Sequence, residues 1–554
     1  MTVALLSNEQ NRSILIQEFK TRLGYNSSWL DQHLTLIDEP KFFGFSFSND
    51  LGSSYLFAAI CSPSELDTAE GNLKGRASTN PYFGIGLVFD GTEARYLRRR
   101  FDSDKFEYIK DLEHFQLGPT SILNALSSLR SSDLGEGRSL TPLREGLENV
   151  FFEVHSHLRD IDGLHADAAL DELCKLIYVK LYDEETTAYR EQYRLQRWRY
   201  SSTDEFASVA RHLYTTAGEY DTRVFSLKIP GYQRSRGVFS GNIKLSSPAL
   251  VKALESLQDF SLTEATSDVK GRAFQKVLIP AVRSGMGQYF TPEPIIQFMV
   301  AIAEPKISDL ILDPFCGSGH FLTSCLQSVR SQTKDDSGKA FHEFAFGKLH
   351  GIEKSDRMVR VAMTDMRLHG DGHSNVRCTD SLLAFQNYPD IHPDSFDLVL
   401  TNPPFGSLLG AEAQAQLGHF ELTASRKATP LEVLGVERSL QFLRPGGKLL
   451  IVLPDGIVGN SRSQYVRDWI QHQGKIRAII SLPVESFSPF GANIKTSILV
   501  LKKWKHGERS AADYKVFMAR VDSIGYDATG RPTGNSELEE VRGDLAKFLK
   551  EEGW

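Results

Sequence analysis

A short loop after an apolar run carries side chains that could bind an amino group on an aromatic ring. Residues 396–405 read Phe-Asp-Leu-Val-Leu-Thr-Asn-Pro-Pro-Phe, which places Asn402, Pro403, Pro404 and Phe405 after a strand-like segment. The Asn402 side-chain oxygen and the Pro403 carbonyl can each accept one N–H of such an amine, and this localises the nitrogen lone pair for attack. The prolines stiffen the loop and Phe405 can stack on the ring. The alternative is a Pro-Pro turn that only ends a strand.

A second loop upstream is rich in glycine. Residues 309–319 read Asp-Leu-Ile-Leu-Asp-Pro-Phe-Cys-Gly-Ser-Gly and precede a helix-like segment. Glycine lets a ligand approach the backbone, and a strand that turns into a helix in this way is a cofactor position at the carboxyl edge of a doubly wound sheet. The spacing is neither the dinucleotide fingerprint nor a P-loop. A purely structural turn is the alternative. The candidate cofactor-binding residues here are Asp313, Phe315, Gly317, Ser318 and Gly319.

Two acidic residues follow the glycine-rich turn at the ends of later strand-like runs. Glu353 comes after Lys348-Leu-His-Gly-Ile, and Asp380 lies in Cys378-Thr-Asp-Ser. A carboxylate at the first position can accept two ribose hydroxyls. The second could bind the amino group of a cofactor's adenine. Either acid taken alone is more often a solvated charge, but their order after the turn favours cofactor contacts for both.

The segments that must position these loops alternate between strand and helix. Strand-like runs occur at 310–312, 349–352, 396–400, 448–453, 476–482 and 496–501, with helix-like segments between them. This pattern predicts a mostly parallel, doubly wound α/β sheet. Residues 147–285 show a helical period instead. Near the N-terminus, Asp90-Gly91 between two strand-like runs predicts a hairpin.

Composition excludes several classes of protein. The chain has 554 residues, 41% hydrophobic and 24% charged, as in ordinary globular proteins. No run approaches the length of a membrane span, and no secretion signal is visible. Five scattered cysteines indicate reduced thiols, a cytoplasmic location and no zinc site. The net charge of −7 means that a DNA contact must come from local basic clusters or a partner.

Taken together, the glycine-rich turn, the two acids and Asn-Pro-Pro-Phe resemble the N6-adenine DNA methyltransferases. More specifically, the chain resembles the methylation subunit of type I restriction–modification systems. The segment Gln288, Tyr289, Phe290 and Thr291 lies just before the sheet and is similar to the one that caps the methionine end of the cofactor. The resemblance implies a seven-stranded Rossmann-like sheet, S-adenosyl-L-methionine as cofactor, no metal, and site-specific transfer of a methyl group to adenine N6.

The resemblance also implies a domain plan and partners. It places an α/β accessory domain at 1–120, a linker at 121–146, a helical domain at 147–285, the methyltransferase domain at 286–505 and a C-terminal tail at 506–554. The tail is too short for a recognition domain. DNA and a separate specificity subunit are therefore the expected partners, with a restriction subunit as a further one and no membrane.

The N-terminal region faintly resembles the nuclease-like domain of type I restriction subunits. That family carries Glu-x-Lys where Ala59 and Cys61 stand here, so cleavage is not expected. An unrelated accessory domain is the alternative. Two runs that mix arginine with aromatic residues, at 95–100 and 194–200, could follow a phosphate backbone or form solvated faces.

Three other functions remain open at this point. The same loop chemistry serves amino-methyltransferases that act on RNA guanine or on protein glutamine. A non-catalytic, cofactor-binding scaffold in a defence complex is a second possibility. The third is a single-chain restriction–modification enzyme, which the missing Glu-x-Lys and recognition domain disfavour.

Overall fold

The architecture comes from a computed structural model. It describes residues 8–21, 27–48, 54–80, 84–99, 106–109, 140–142, 146–187, 193–228, 239, 241–263, 265, 267–285, 290–332, 339–369, 375–388, 390–424, 426–508 and 514–554. Gln288 and Tyr289, most of the predicted linker, and the loop around residue 230 lie outside these residues.

The N-terminal region forms a six-stranded sheet in the order β1-β2-β3-β4-β5-β6. Its elements are α1 (Asn8–Thr21), α2 (Ser27–His33), β1 (Leu34–Glu39), β2 (Phe42–Ser48), β3 (Ser54–Ile60), α3 (Leu66–Thr79), β4 (Ile85–Phe89), β5 (Ala94–Arg99) and β6 (Phe106–Ile109). Among the described strand pairs of this sheet, only β3–β4 is parallel, and α3 makes its crossover. The predicted hairpin is confirmed, because Phe89 pairs with Ala94 and the Asp90 carboxylate accepts the Thr92 and Glu93 amides.

Helices dominate the next region. They are α4 (Leu147–Asp162), α5 (Ala166–Thr186), α6 (Thr203–Lys228), α7 (Ser247–Leu257) and α8 (Ser267–Gly285), with a short parallel pair between β7 (Thr141–Pro142) and β8 (Phe260–Ser261). The pair brings a piece of the predicted linker against the helices. No helix among the described residues is long and apolar enough to cross a membrane.

The charged side chains of α5 are buried but paired, as buried charges must be. Glu184 is fully buried, and it accepts the amides of Leu262 and Thr263 and pairs with Lys180 at 3.0 Å. Asp183 accepts the amide of Leu195 at 2.8 Å. These bonds attach the loops at 193–195 and 261–263 to the centre of the helical region.

A second sheet follows, built from alternating strands and helices as predicted. Its elements up to the middle of the sheet are α9 (Glu293–Ala303), β9 (Ile311–Asp313), α10 (His320–Gln332), α11 (Lys339–Gly347), β10 (Leu349–Glu353), α12 (Asp356–Leu368), β11 (Val376–Cys378) and β12 (Phe396–Thr401). Then come β13 (Leu408–Gly410), α13 (Ala411–Gln414), β14 (Ala428–Pro430), α14 (Leu431–Phe442), β15 (Leu443–Pro454), α15 (Asp455–Gly459), α16 (Gln464–Gln473), β16 (Gly474–Ser481) and β17 (Thr496–Lys503). Strands β13 and β14 form a separate antiparallel ribbon beside the sheet.

The strand order is β11-β10-β9-β12-β15-β17-β16-β18, where β18 (Phe517–Arg520) comes from the predicted tail. Strand β17 is antiparallel to both of its neighbours, and the other described pairs in this sheet are parallel. The predicted number of seven strands is therefore short by one. The reason is that β18 is a four-residue edge strand whose burial alternates, so it lacks the continuous apolar run of a central parallel strand.

The remaining C-terminal residues also pack on this sheet. They form β19 (Ile524–Tyr526), β20 (Pro532–Ser536) and α17 (Leu538–Glu551). The Trp554 indole donates to the Ile302 carbonyl of α9, and Leu545 and Leu549 are buried. Residues after 505 therefore extend the core of the second sheet.

Ion pairs join the helical region to the sheet. Arg360 of α12 donates to Asp171 of α5 at 2.6 Å, and both side chains are buried. Arg357 and Arg367 of α12 pair with Asp167 and Glu185 of α5. The buried apolar cluster also runs continuously from α4 to α17, so α5 and the helix that follows β10 form one packed layer.

Candidate active site

The predicted site residues meet at one edge of the second sheet. Strands β9, β10, β11 and β12 are parallel neighbours, and their carboxyl ends lead to Asp313, Glu353, Asp380 and Asn402. The carboxyl edge of such a sheet is where ligands bind in doubly wound folds. The structure therefore brings the glycine-rich turn, both acids and the Asn-Pro-Pro-Phe loop together.

The glycine-rich turn exposes backbone at one position and packs closely at another. Gly317 has φ +51°, and a Cβ there would meet nothing within 4 Å. Gly319 has φ +83°, and a Cβ there would lie 3.0 Å from Ala362 of α12. Both conformations favour glycine. Gly317 thus leaves open space for a ligand, whereas Gly319 allows the turn to approach α12.

Glu353 is attached to this turn. Its carboxylate accepts the Gly317 amide at 3.2 Å and the Ser355 amide at 2.7 Å. Burial nevertheless raises the pKa of Glu353. Two oxygens held beside an open glycine can accept hydroxyl donors from a ligand, which fits the predicted ribose contact.

Asp313 joins the two loops. It is 2% exposed, and its Oδ1 accepts the Thr401 hydroxyl at 2.6 Å and the Phe315 amide at 3.1 Å. Desolvation raises the pKa of Asp313 to about 7. Since Thr401 immediately precedes Asn402, this bond fixes the catalytic loop relative to the glycine-rich turn.

Asp380 lies after the next strand in the sheet. Its Oδ1 accepts the Leu382 amide at 3.0 Å, and its Oδ2 pairs with Lys354 at 2.8 Å. The Lys354 side chain is 78% exposed, so solvent screens this ion pair. The contact of Asp380 with the cofactor's adenine stays a prediction.

The Asn-Pro-Pro-Phe loop is held from three sides. The Asn402 amide nitrogen donates to the Thr291 hydroxyl at 2.9 Å. The Gly406 amide donates to Glu432 of α14 at 3.3 Å. A Cβ on Gly435 of α14 would lie 2.7 Å from Pro403, so only a glycine lets this helix approach the loop so closely. The sequence analysis did not identify Glu432 or Gly435.

Phe405 is packed inward. It is 5% exposed, and its ring meets Phe487 edge to face with centroids 6.4 Å apart. The ring therefore presents little open face in this conformation. Pro404 beside it is exposed.

The segment before α9 contributes two described residues to the site. Phe290 is 7% exposed and packs edge to face on His320, the first residue of α10. Thr291 is 9% exposed and accepts the Asn402 amide. Burial lowers the pKa of His320, which favours the neutral ring beside the glycine-rich turn.

Several arginines of the two basic runs make internal contacts. Arg95 pairs with Asp67, Glu70 and Glu93. Arg194 pairs with Asp183 at 2.8 Å. The guanidinium groups of Arg197 and Arg199 donate to the carbonyls of Tyr200 and Tyr193. These contacts favour a structural role over phosphate binding. Within the described part of the chain, no cluster of three or more metal-ligating side chains occurs.

Comparisons with known proteins agree with this geometry. Residues 267–532 match the family described as N-6 DNA Methylase. The chain is 25% identical to the type I restriction enzyme EcoEI methylase subunit of Escherichia coli, over 64% of this chain and 75% of that protein. It is 26% identical to the EcoKI methylase subunit of Escherichia coli strain K12, over 63% of this chain and 65% of that protein.

A solved structure supports the fold. A chain from a study of complex assembly and conformational transition in a type I R-M system matches with a TM-score of 0.55 at 18% identity, over 74% of this chain and 83% of that one. The mostly parallel sheet and the glycine-rich turn after β9 agree with a Rossmann-like methyltransferase fold, for which S-adenosyl-L-methionine is the cofactor. Residues 267–532, slightly less than half of the chain, match the N-6 DNA Methylase model, and together with the named methylase subunits this match supports an adenine-specific DNA methyltransferase.

Proposed function

We propose that this chain transfers a methyl group from S-adenosyl-L-methionine to the N6 atom of adenine at defined DNA sites, as the modification subunit of a restriction–modification system. The observation that carries the proposal is the position of Asn402. It lies at the end of β12, and its amide nitrogen is bound by Thr291 beside the glycine-rich turn. Because the amide nitrogen is held by this hydrogen bond, the position of the amide oxygen is also fixed.

The target amine is activated by acceptors alone. Its two hydrogens would donate to the Asn402 oxygen and the Pro403 carbonyl, which draws the lone pair out of conjugation with the ring. No strong base is needed, because the nitrogen would take the methyl group as the methyl–sulfur bond breaks, and the cationic nitrogen would then release one of its protons to solvent. The residues Thr401, Glu432 and Gly435 keep these acceptors in place. Holding reacting groups in position in this way can lower the free-energy barrier to transfer by several kcal/mol, up to roughly 7–11.

The residues at the strand ends fit the cofactor. S-adenosyl-L-methionine supplies an electrophilic methyl group on a sulfonium centre. Gly317 leaves space beside its backbone, and Glu353 and Asp380 offer carboxylates at the next two strand ends. The other proposed contacts are Gln288, Tyr289, Phe290, Thr291, Asp313, Phe315, Ser318 and Gly319, with Asn402 between the two ligands.

Phe405 is the proposed stacking partner of the target base. Because its ring is packed against Phe487, stacking requires the ring to turn toward the exposed Pro404 side when a base enters. The energy of a base–aromatic stack, about 1–3 kcal/mol, is of the size needed for such a rearrangement.

The surface beside the loop suits DNA. Leu408 on β13 is 67% exposed, and Arg426 and Lys427 precede its partner strand β14 and are also exposed. A target base must leave the helix to reach Asn402. Cations and an apolar side chain next to the loop would bind the phosphates and the opened duplex.

The proposed partners follow from the same function. DNA is the substrate, a separate specificity subunit selects the site, and a restriction subunit completes the system. The named relatives are methylase subunits of type I restriction enzymes, which supports this assembly. A cytoplasmic location follows from the substrate.

The test is methyl transfer in vitro from labelled cofactor to unmethylated duplex DNA. The chain is purified alone and together with the product of a neighbouring specificity gene, and each sample is compared with its Asn402→Ala variant. We expect label on adenine only with the partner and only with Asn402. Label on RNA or on protein instead of DNA would contradict the proposal.

A further inference from the structure

We propose that Thr291 is a positioning residue whose hydroxyl sets which way the Asn402 amide faces, and that its proposed contact with the cofactor uses its other atoms. The inference rests on the proposed function and assigns a specific task to a residue of the same site. It starts from one hydrogen bond, in which the Asn402 Nδ2 donates to the Thr291 Oγ1 at 2.9 Å.

An asparagine amide needs such a partner to act as an acceptor. Its oxygen and its NH₂ group have almost the same shape, but one accepts hydrogen bonds and the other only donates. Facing the target amine, the oxygen would bind an N–H, whereas the NH₂ group would oppose it. A half-turn of the amide therefore converts a productive site into an unproductive one without disturbing the packing.

The surroundings leave this half-turn as the main freedom of the side chain. Thr401, the preceding residue, is fixed by its hydrogen bond to Asp313. Pro403, the following residue, is packed against Gly435. The backbone on both sides of Asn402 is thus held, and the contact with Thr291 favours the orientation in which the amide nitrogen faces the Thr291 hydroxyl.

The position of Thr291 is itself fixed by burial and by the start of α9. Its side chain is 9% exposed, and it immediately precedes Pro292, whose carbonyl accepts the amides of Ile295 and Ile296 in the first turn of α9. Thr291 reaches Asn402 from 111 residues away in sequence. The catalytic amide is therefore oriented by an element outside its own loop.

The decisive variants are Thr291→Val, which keeps the shape without the hydroxyl, and Thr291→Ser, which keeps the hydroxyl. They are assayed in the full complex with the specificity subunit and duplex DNA. We expect Thr291→Val to lower kcat about 10- to 100-fold, less than the roughly 100- to 1,000-fold cost of removing a donor that contacts the transition state, because Thr291 acts through Asn402. Thr291→Ser should restore most of that loss. Binding of S-adenosylmethionine, measured by calorimetry, should change less than about threefold in both variants.

A matched control separates this role from loss of packing. Thr364 of α12 is also buried, and its hydroxyl donates to the Arg360 carbonyl within the helix. Thr364→Val should leave kcat unchanged. An equal loss of kcat in Thr364→Val would indicate that any buried hydroxyl matters for folding, and it would overturn the assignment.

A double-mutant cycle tests whether Thr291 acts through Asn402. Trapping of the target base is measured by the fluorescence of an adenine analogue at the target position, with cofactor present. Thr291→Val should reduce the fluorescence signal when Asn402 is present and should cause no further reduction in an Asn402→Ala chain. The reason is that the effects of substitutions at two coupled residues do not add. Equal losses in both backgrounds would overturn the assignment.

Two further results would also overturn it. If Thr291→Val weakens cofactor binding as much as it lowers kcat, the Thr291 hydroxyl is a cofactor contact and not an orienting group. If the wild-type complex methylates RNA or protein and never adenine in DNA, the proposed function fails and this inference fails with it. A loss of kcat in Thr291→Val but not in Thr364→Val, seen beside an active wild-type complex, therefore concerns Thr291 alone.

Discussion

Gly435 offers a strong test of how closely the catalytic loop must be placed. In Gly435→Ala, the new Cβ would lie 2.7 Å from the Pro403 Cβ and 3.4 Å from the Phe315 ring. Carbon atoms pack at about 3.5–4.0 Å, so Pro403 must move by roughly 1 Å. A displacement of this size at reacting groups can lower a rate by about 100-fold. We expect kcat to fall between about 10- and 100-fold, because the Pro403 carbonyl is one of the two acceptors.

The assay is single-turnover methyl transfer in the full complex, together with thermal unfolding and cofactor calorimetry. Glycine-to-alanine changes inside helices normally stabilise by roughly 0.5–1 kcal/mol, so a slower enzyme with an unchanged fold would identify the contact with Pro403. Gly543→Ala is the control, since a Cβ there meets nothing within 4 Å. A wild-type rate in Gly435→Ala would refute the reasoning.

Three other predictions concern the cofactor, stability and pH. Gly317→Val should weaken S-adenosylmethionine binding by at least about tenfold in calorimetry, because φ +51° favours glycine and the valine side chain would fill the open space beside the turn; unchanged affinity would contradict the cofactor position. Arg360→Met should destabilise the chain by roughly 3–5 kcal/mol in urea unfolding, because Asp171 then loses its main buried partner; a change near zero would contradict that. Asp313 has a pKa of about 7 in the folded chain and about 3.9 in the unfolded chain, so the folded chain binds this proton more tightly. The resulting contribution to the free energy of unfolding is fully present below pH 4 and is lost as the pH rises toward 7. The unfolding free energy of wild type relative to Asp313→Asn should fall by up to about 4 kcal/mol over that interval (about three units at 1.36 each), and a flat difference would contradict the raised pKa.

The edge of the sheet on which the site lies could be predicted from the sequence. Asp313, Glu353 and Asn402 each follow an apolar run, and parallel strands place such residues at one edge. The chemistry of Asn-Pro-Pro-Phe also depends only on local residue types. These patterns involve residues close together in sequence, so they can be recognised without knowing how the chain packs.

The contacts that hold the site could not be predicted. Thr291 reaches Asn402 across 111 residues, and Gly435 is an ordinary glycine inside a helix until Pro403 is seen beside it. The arginines at 194–199 looked like a nucleic-acid surface, but the structure uses them for carbonyls and a carboxylate. Strand β18 was assigned to a tail because a short edge strand has little apolar pattern. Long-range partners of this kind have no signature in a single sequence.

The most direct test of the role of the Asn402 loop is base-modification sequencing of DNA from cells that express this chain together with a specificity subunit. The same cells with Asn402→Ala provide the comparison. We expect N6-methyladenine in one defined sequence motif in the first cells and none in the second. Methylation that persists in Asn402→Ala, or modification of another base, would contradict the role assigned to the Asn402 loop.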